Sequence, residues 1–428
     1  MSQLTAHIIP RDEHPVSRKN ISPSALKVMY RLENAGFKAF LVGGAVRDML
    51  LGIQPKDFDI ATNAHPEQVH KLFSNSRLIG RRFKLVHILF GREIIEVATF
   101  RSSGEQLQND QGMLVRDNVY GDIEEDVVRR DFTTNALYYS ATDFAIYDYV
   151  DALKDIENRQ LKLIGIPEER YREDPVRMLR AVRFAAKLDF AIETQAEEKI
   201  TELAHLMQMV APARLFDEII KLFVSGKGGR IYQYLKHHKL FDSLFPHVAD
   251  TLRNNAQSAY YDAFITAGLV NTDKRIQVDK PVTPAFMYAV LLWPEVHRIW
   301  QQKISEGTSE FPAMQQAGYE ATQAQLPFIM ITKRFLLMMK EIWEMQLRLT
   351  KNNERRAKQL IHNPRFRAGY DFLLLREQAG EQLEGLGEWW THFQESNPVP
   401  KSSTKSRTGK ERFRPRRPAN KAGKRPRS

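Results

Sequence analysis

The stretch Leu41-Val42-Gly43-Gly44-Ala45-Val46-Arg47-Asp48, continued by Lys56-Asp57-Phe58-Asp59-Ile60-Ala61-Thr62, decides how this chain is read. Apolar residues of β type run into two glycines, and a helical pattern begins directly after them. Residues 38–42 therefore read as a short strand and residues 45–52 as a helix closed by Gly52. Working outward, residues 25–36 carry a helical period that stops at Gly36. Residues 56–62, 84–90 and 93–100 are short runs rich in Val, Ile and Phe, as strands require. Between them, residues 65–73 suit a helix with Pro66 in its first turn. This alternation predicts an α/β unit on a short mixed sheet.

Two features of the opening stretch carry chemistry. In a strand, residues two apart share a side, so Asp57 and Asp59 present paired carboxylates while Phe58 and Ile60 face the packed side. Adjacent like charges are unfavourable, and such oxygen ligands suit Mg²⁺, which binds through one or two carboxylates plus substrate phosphates. Alone, Asp-x-Asp is more often a turn or an exposed face. Gly43-Gly44 supplies context, because glycine lets backbone approach a ligand and a helix N-terminus favours anions. A triphosphate on that turn would meet Arg47 and metal held by Asp57 and Asp59. The turn by itself is equally a plain strand–helix connection; with the carboxylates it points to phosphoryl or nucleotidyl transfer.

The chain has 428 residues, enough for about two to three domains. A polar N-terminal extension, 1–22, is expected to lie over the body, followed by a catalytic head, 23–150. Strand signals stop near residue 150, and helical patterns continue as a neck, 151–225, and a body, 226–395. Residues 101–113 have the composition of a mobile loop. All five tryptophans lie beyond residue 290, where core packing is their expected role. There is no internal repeat. The absence of cysteine excludes disulfides, Cys-ligated zinc and thiolate catalysis. The N-terminus lacks a secretory apolar core. The longest apolar run, 286–293 with Ala285 before it, has nine residues, against the ~20 of a spanning helix. A soluble, cytoplasmic protein is expected.

The net charge of +11 is confined to one place. Residues 401–428 hold twelve Lys/Arg and one Glu, whereas the first 400 residues hold 51 basic and 51 acidic side chains. The segment 396–428 is expected to be a disordered basic tail. Such a tail attracts polyanions by counterion release without reading sequence. RNA is the expected partner; a solubility tail or a contact with anionic membrane is the plainer reading.

Four motifs in order, LVGGAVRD…KDFDIATNA, EIIEVATFR, RRDFTTNALYY and YREDPVRMLRAVRFAAKL, resemble the nucleotidyltransferase superfamily branch that holds bacterial poly(A) polymerases and class II CCA-adding enzymes. The resemblance is dense over residues 38–225 and thin beyond. It implies a nucleotidyltransferase head followed by all-α neck and body domains. It also implies metal-assisted in-line attack of an RNA 3′-OH on a nucleoside triphosphate. By this match Asp57 and Asp59 hold Mg²⁺, and Asp131 is a third catalytic carboxylate, with Glu96 its competitor. Gly43, Gly44, Arg47 and Arg130 would bind the triphosphate. Bacterial RNA turnover, with RNA 3′ ends, ATP and RNA-decay proteins as partners, is implied in the same way.

Base choice is placed on Asp174 and Arg177. Asp174 is expected as N-cap and Pro175 at the first helical position, with Arg177 on the same face. A carboxylate accepting an exocyclic amine beside a guanidinium donating to a ring nitrogen admits adenine and cytosine. Guanine and uracil would leave both groups unpaired. The pair does not separate A from C, so a CCA-adding enzyme is the alternative to a poly(A) polymerase. A non-catalytic RNA-binding protein on a transferase-like head is a second. Residues 79–88, with Arg81, Arg82 and Lys84, resemble a segment characteristic of bacterial poly(A) polymerases, and the basic tail favours the same choice. Arg180 and Arg183 fit phosphates or acidic neighbours such as Glu173 equally. Arg214, Asp217 and Glu218 occupy the position of a bracing motif. Ala45 stands where relatives often carry a third glycine, a change of little consequence unless that position needs positive φ.

Overall fold

The structure, a computed structural model, describes residues 4–80, 84–102, 107–108, 114–116 and 119–398. Arg81 and Arg82, most of the segment 101–113 and the basic tail from 399 onward lie outside the described residues.

Among the described residues, ten strands belong to the first part of the chain: β1 (His7–Ile9), β2 (Ala39–Val42), β3 (Asp59–Thr62), β4 (Ser76–Ile79), β5 (Leu85–Phe90), β6 (Glu93–Thr99), β7 (Leu107–Gln108), β8 (Leu114–Arg116), β9 (Leu137–Ser140) and β10 (Ile146–Asp148). Eight form one sheet in the order β1-β10-β9-β2-β3-β6-β5-β4, and β7 pairs with β8 separately. Only β3 and β6 run parallel within the large sheet. The mixed sheet expected from the sequence is present.

The period of two divides the sheet's side chains between two cores. Leu41, Ile60, Val97 and Tyr139 pack on one face with Val28, Met29 and Leu32 of α1 (Pro23–Asn34). Their neighbours Val42, Ala61 and Tyr138 pack on the other with Phe100, Ile123 and Val127. The helices α2 (Gly44–Leu50) and α3 (Pro66–Leu72) add to the first core, and α4 (Ile123–Arg129) covers the second. Capping fixes where α1 starts: the Ser22 hydroxyl accepts from the Ala25 N–H at 3.0 Å, with Pro23 in the first turn. Gly36, at φ 84°, turns the chain after it.

The N-terminal extension differs from expectation. His7–Ile9 does not lie over the body but pairs antiparallel with β10 and forms one edge of the sheet. Ile9 is buried while His7 and Ile8 are exposed, so one inward side chain is enough to seat the strand.

Beyond residue 150 come α5 (Ala152–Glu157), α6 (Pro167–Glu173), α7 (Val176–Leu188), α8 (Thr194–Leu203) and α9 (Pro212–Phe223). Strand structure does not end there: Gln160–Leu161 pairs in parallel with Ala191–Ile192, a pair too short to show a periodic pattern. Helices continue to Leu386–Ser396. Trp293, Trp343 and Trp390 are fully buried, as core packing requires. The apolar run 286–293 lies inside the helix Pro284–Ser305. Among the described residues no helix is long and apolar enough to cross a membrane.

Candidate active site

Strand β3 begins at Asp59 rather than at Lys56, yet the expected alternation holds through the approach to it. Phe58 and Ile60 are buried at 7% and 0% exposure, and Asp57 and Asp59 are exposed between and beside them. The ladder then explains why two distant stretches of sequence meet. Asp59 lies opposite Val42 of β2 on one side and opposite Glu96 of β6 on the other. Val42 is the last residue before Gly43, so the carboxylates stand beside the glycine turn. His87 of β5 is opposite Glu96, with its Nε2 3.3 Å from the Glu96 carboxylate. Within the segment 79–88 the ladder thus gives His87 this partner.

Although Asp59 is exposed overall, the protein packed around its carboxyl, then Glu96, then Asp57 push that carboxyl up to about 6, against the opposing pull of Arg130. Negative charge is therefore in excess here, which a divalent cation would relieve. Among the described residues no three acidic or imidazole side chains already stand at metal-ligating spacing. Two carboxylates with open positions fit a cation whose other ligands arrive with a phosphate substrate.

Gly43 adopts φ 69°, ψ −131°, a conformation open in practice to glycine alone. Gly44 opens α2, and Ala45 is a buried helical residue without positive φ, so the missing third glycine costs nothing. Two arginines lie against the turn. A Cβ on Gly43 would sit 3.7 Å from Arg130 Nη1, and one on Gly44 would sit 3.3 Å from Arg47 Nη2. Arg47 is 2% exposed and donates to Asp48 and to the Asn135 side-chain oxygen. It braces the turn from beneath instead of facing an open cleft. Arg130 donates to Asp126, to the Tyr138 hydroxyl at 2.7 Å and to the Asn135 carbonyl at 3.2 Å. Its charge is held firmly by these partners despite burial.

Asp131 faces α7. Arg180 Nε donates to its carboxylate at 2.6 Å, and the Phe132 N–H donates to it at 2.9 Å. Burial alone would raise the Asp131 pKa, but Arg180 and these donors bring it below the ordinary carboxylate value. Of the two rivals for the third carboxylate, Glu96 stands next to Asp59 and Asp131 is taken up by Arg180.

At the start of α7 the register is one residue later than expected. The helix opens at Val176, and Asp174 accepts from the Val176 N–H at 3.3 Å. The Asp174 and Arg177 side chains have different partners. Both Asp174 oxygens accept from Arg214 of α9, which holds the carboxyl below its ordinary pKa against the effect of burial. Arg177 donates to Glu173 at 2.5 Å and to the Arg170 carbonyl at 2.8 Å. Arg214 is thus the brace expected of its position. Arg170 was not singled out in the sequence. It donates to the Arg129 and Arg130 carbonyls at 3.0 and 2.7 Å and to Glu173 at 2.6 Å, tying two motifs together. Only its neighbourhood to Glu173 in sequence hinted at this.

Three family models match the chain in order: the poly A polymerase head domain over residues 39–162, a probable RNA- and SrmB-binding site of polymerase A over 189–252, and the arginine-rich C-terminus of polymerase A over 306–426. Poly(A) polymerase I of Salmonella typhi is 47% identical over 402 residues, which cover 91% of this chain and 86% of that protein. The chain belongs to the bacterial poly(A) polymerase family. A CCA-adding enzyme of Lactobacillus helveticus is a more distant relative, 38% identical over 49% of this chain and 52% of its own length. The crystal structure of the Bacillus stearothermophilus CCA-adding enzyme in complex with CTP shares the fold, with a TM-score of 0.59 at 24% identity, covering 89% of this chain and 84% of that one. As a member of the poly(A) polymerase family the chain is a nucleotidyltransferase, and the family implies a divalent metal and a nucleotide substrate.

Proposed function

We propose that the chain transfers AMP from ATP to the 3′-OH of RNA without a template, repeatedly, releasing pyrophosphate. The observation that carries this reading is 47% identity to a poly(A) polymerase I along 91% of the chain. The geometry supports it through Asp59, one hydrogen-bonded strand away from the Gly43 turn. Asp57 and Asp59 hold Mg²⁺, which when bound lowers the pKa of the attacking hydroxyl and neutralises the leaving pyrophosphate. Glu96, beside Asp59, is the better placed third carboxylate. Asp131 acts by fixing Arg180 and Asn135. Gly43 and Gly44 seat the triphosphate, with Arg130 and Arg47 supplying positive charge behind the turn. Asp174 accepts the exocyclic amine of adenine and Arg177 donates to its ring nitrogen. Mechanistically, the ion pairs that hold these two side chains order them before the base arrives.

The CCA-adding alternative is the weaker one, because likeness to those enzymes in sequence extends over half the chain. A non-catalytic reading has to leave the Asp57 and Asp59 pair without purpose. RNA 3′ ends and ATP are the substrates, in mRNA polyadenylation and RNA turnover in the cytoplasm, with RNA-decay proteins as partners. The test is incubation of a generic RNA with labelled ATP or CTP. Long A-tails are expected, lost in D57A and D59A with RNA binding kept; CCA completion on trimmed tRNA alone would reverse the choice.

A further inference from the structure

A cavity of about 610 Å³ opens between the N-terminal extension, α1 and the turn that joins β9 to β10. Its volume is that of a site for a small organic ligand. Arg11, Arg18 and Lys19 line it together with Tyr30, Tyr139 and Phe144, and among the described residues no carboxylate does. Arg11 donates to the His14 carbonyl and Arg18 to the Tyr30 hydroxyl, but none of the three cations makes an ion pair with a described residue. Tyr139 is 1% exposed, yet its hydroxyl has no hydrogen-bond partner among the described residues. Arg18 and Arg11 are near enough to act on that hydroxyl. Asp143 acts on it too, but its carboxylate already accepts from the Tyr147 hydroxyl and the Ala145 N–H.

The aromatic side of the cavity is held in place at some expense. Phe144 sits at φ 62°, where a bulky side chain is rare. Its carbonyl lies 3.0 Å from His14 Nε2, and its ring centroid lies 4.3 Å from the central carbon of the Arg18 guanidinium. A planar base laid on the exposed outer side of Arg18 would extend that stack. Beside it, three unpaired cations and one unspent hydroxyl donor call for an anion with several acceptor oxygens. An aromatic plane joined to a phosphate meets both demands at once. The cavity is also separate from the carboxylates. Asp59, Val42 and Tyr138 stand opposite one another across the ladder and share a face of the sheet, whereas Tyr139, next in the chain, points to the other.

We propose that this cavity is a second nucleotide-binding site, on the face of the sheet opposite Asp59. Arg11, Lys19 and the Tyr139 hydroxyl take the phosphate, and Arg18, backed by Phe144, takes the base. The nucleotide belongs either to free ATP or to a single strand of RNA, and the chemistry of capture is the same. This site is additional to the one that performs transfer and does not require it.

The test is equilibrium binding to the full chain in EDTA, so that no divalent cation assists Asp57 and Asp59, with ATP and single-stranded oligo(A) as separate probes. The triple variant R11Q/R18Q/K19Q should bind at least one probe about tenfold more weakly than the parent. Y139F removes one hydroxyl from a buried ring and should weaken the same probe about fivefold, which serves if the triple variant does not fold. Weaker binding of ATP identifies the free nucleotide. Weaker binding of oligo(A) alone, with a salt slope shallower by about two, identifies the RNA strand. Equal binding of both probes by parent and variants overturns the proposal. So does an equal loss for polyglutamate of matching length, which would make the cavity a plain cationic patch. If the parent chain incorporates no AMP, the function reading fails, and these measurements, which involve no reaction, still decide the site.

Discussion

Arg214 holds both carboxylate oxygens of Asp174, at 2.8 and 2.7 Å, from a helix 40 residues further along the chain. A carboxylate fixed on both oxygens offers its remaining lone pairs in one direction only. R214A should therefore loosen base choice more than chemistry. GMP and UMP incorporation should rise relative to AMP, and the Michaelis constant for ATP should rise about tenfold, the scale of a charged hydrogen bond. Competition between labelled triphosphates measures both, and R214K should fall between R214A and the parent.

Asp131 and Arg180 make an ion pair of which one half is expected to be intolerable without the other. D131N leaves a partly buried guanidinium unpaired, at a cost of about 2 kcal/mol. Adding R180M to D131N should return much of that stability without restoring AMP incorporation. Denaturant unfolding of the two single variants and the pair checks this. A D131N protein of full stability but no activity would instead place Asp131 among the groups that touch substrate.

Gly43 and Gly36 both hold positive φ, at 69° and 84°, and neither has room restricted below 3.7 Å for a Cβ. G43A and G36A should thus each lose about 1 to 2 kcal/mol from backbone strain. Only G43A shifts the turn beside Asp59, so only G43A should reduce AMP incorporation more than its stability explains. Thermal unfolding alongside the activity assay separates the two effects.

What could be read in the sequence was whatever depends on neighbours along the chain. The alternation of Phe58 and Ile60 with Asp57 and Asp59, the stop at Gly36 and the turn at Gly43 are local, and the structure keeps all three. The distant partners of the arginines were not readable. Arg47 and Arg177 take the chain neighbours Asp48 and Glu173, whereas Arg180 and Arg214 reach Asp131 and Asp174, 49 and 40 residues away, by tertiary placement. The edge strand His7–Ile9 was missed for a related reason: three residues with one buried side chain leave no period to detect.

His297 is 4% exposed, and its Nδ1 meets the Tyr261 hydroxyl at 2.9 Å. Burial pulls its pKa from 6.5 down to about 4, and burial does the same to His238. The folded chain keeps both rings neutral where the unfolded chain protonates them. Their contribution is complete above about pH 6.5 and is lost as pH falls from there towards 4, by at most roughly 3 kcal/mol for each. Unfolding by urea at fixed pH values should show this slope, and H297Q should flatten part of it.

The edge strand His7–Ile9 has a practical side for anyone altering the start of this polypeptide. From β1 the ladder passes through β10, β9 and β2 to β3, where Asp59 stands. A truncation that removes residue 7 to residue 9 uncovers the backbone of β10 and invites a foreign strand to dock there. Affinity handles and trimming at that end therefore act on the same hydrogen-bonded fabric that sets the carboxylates in place.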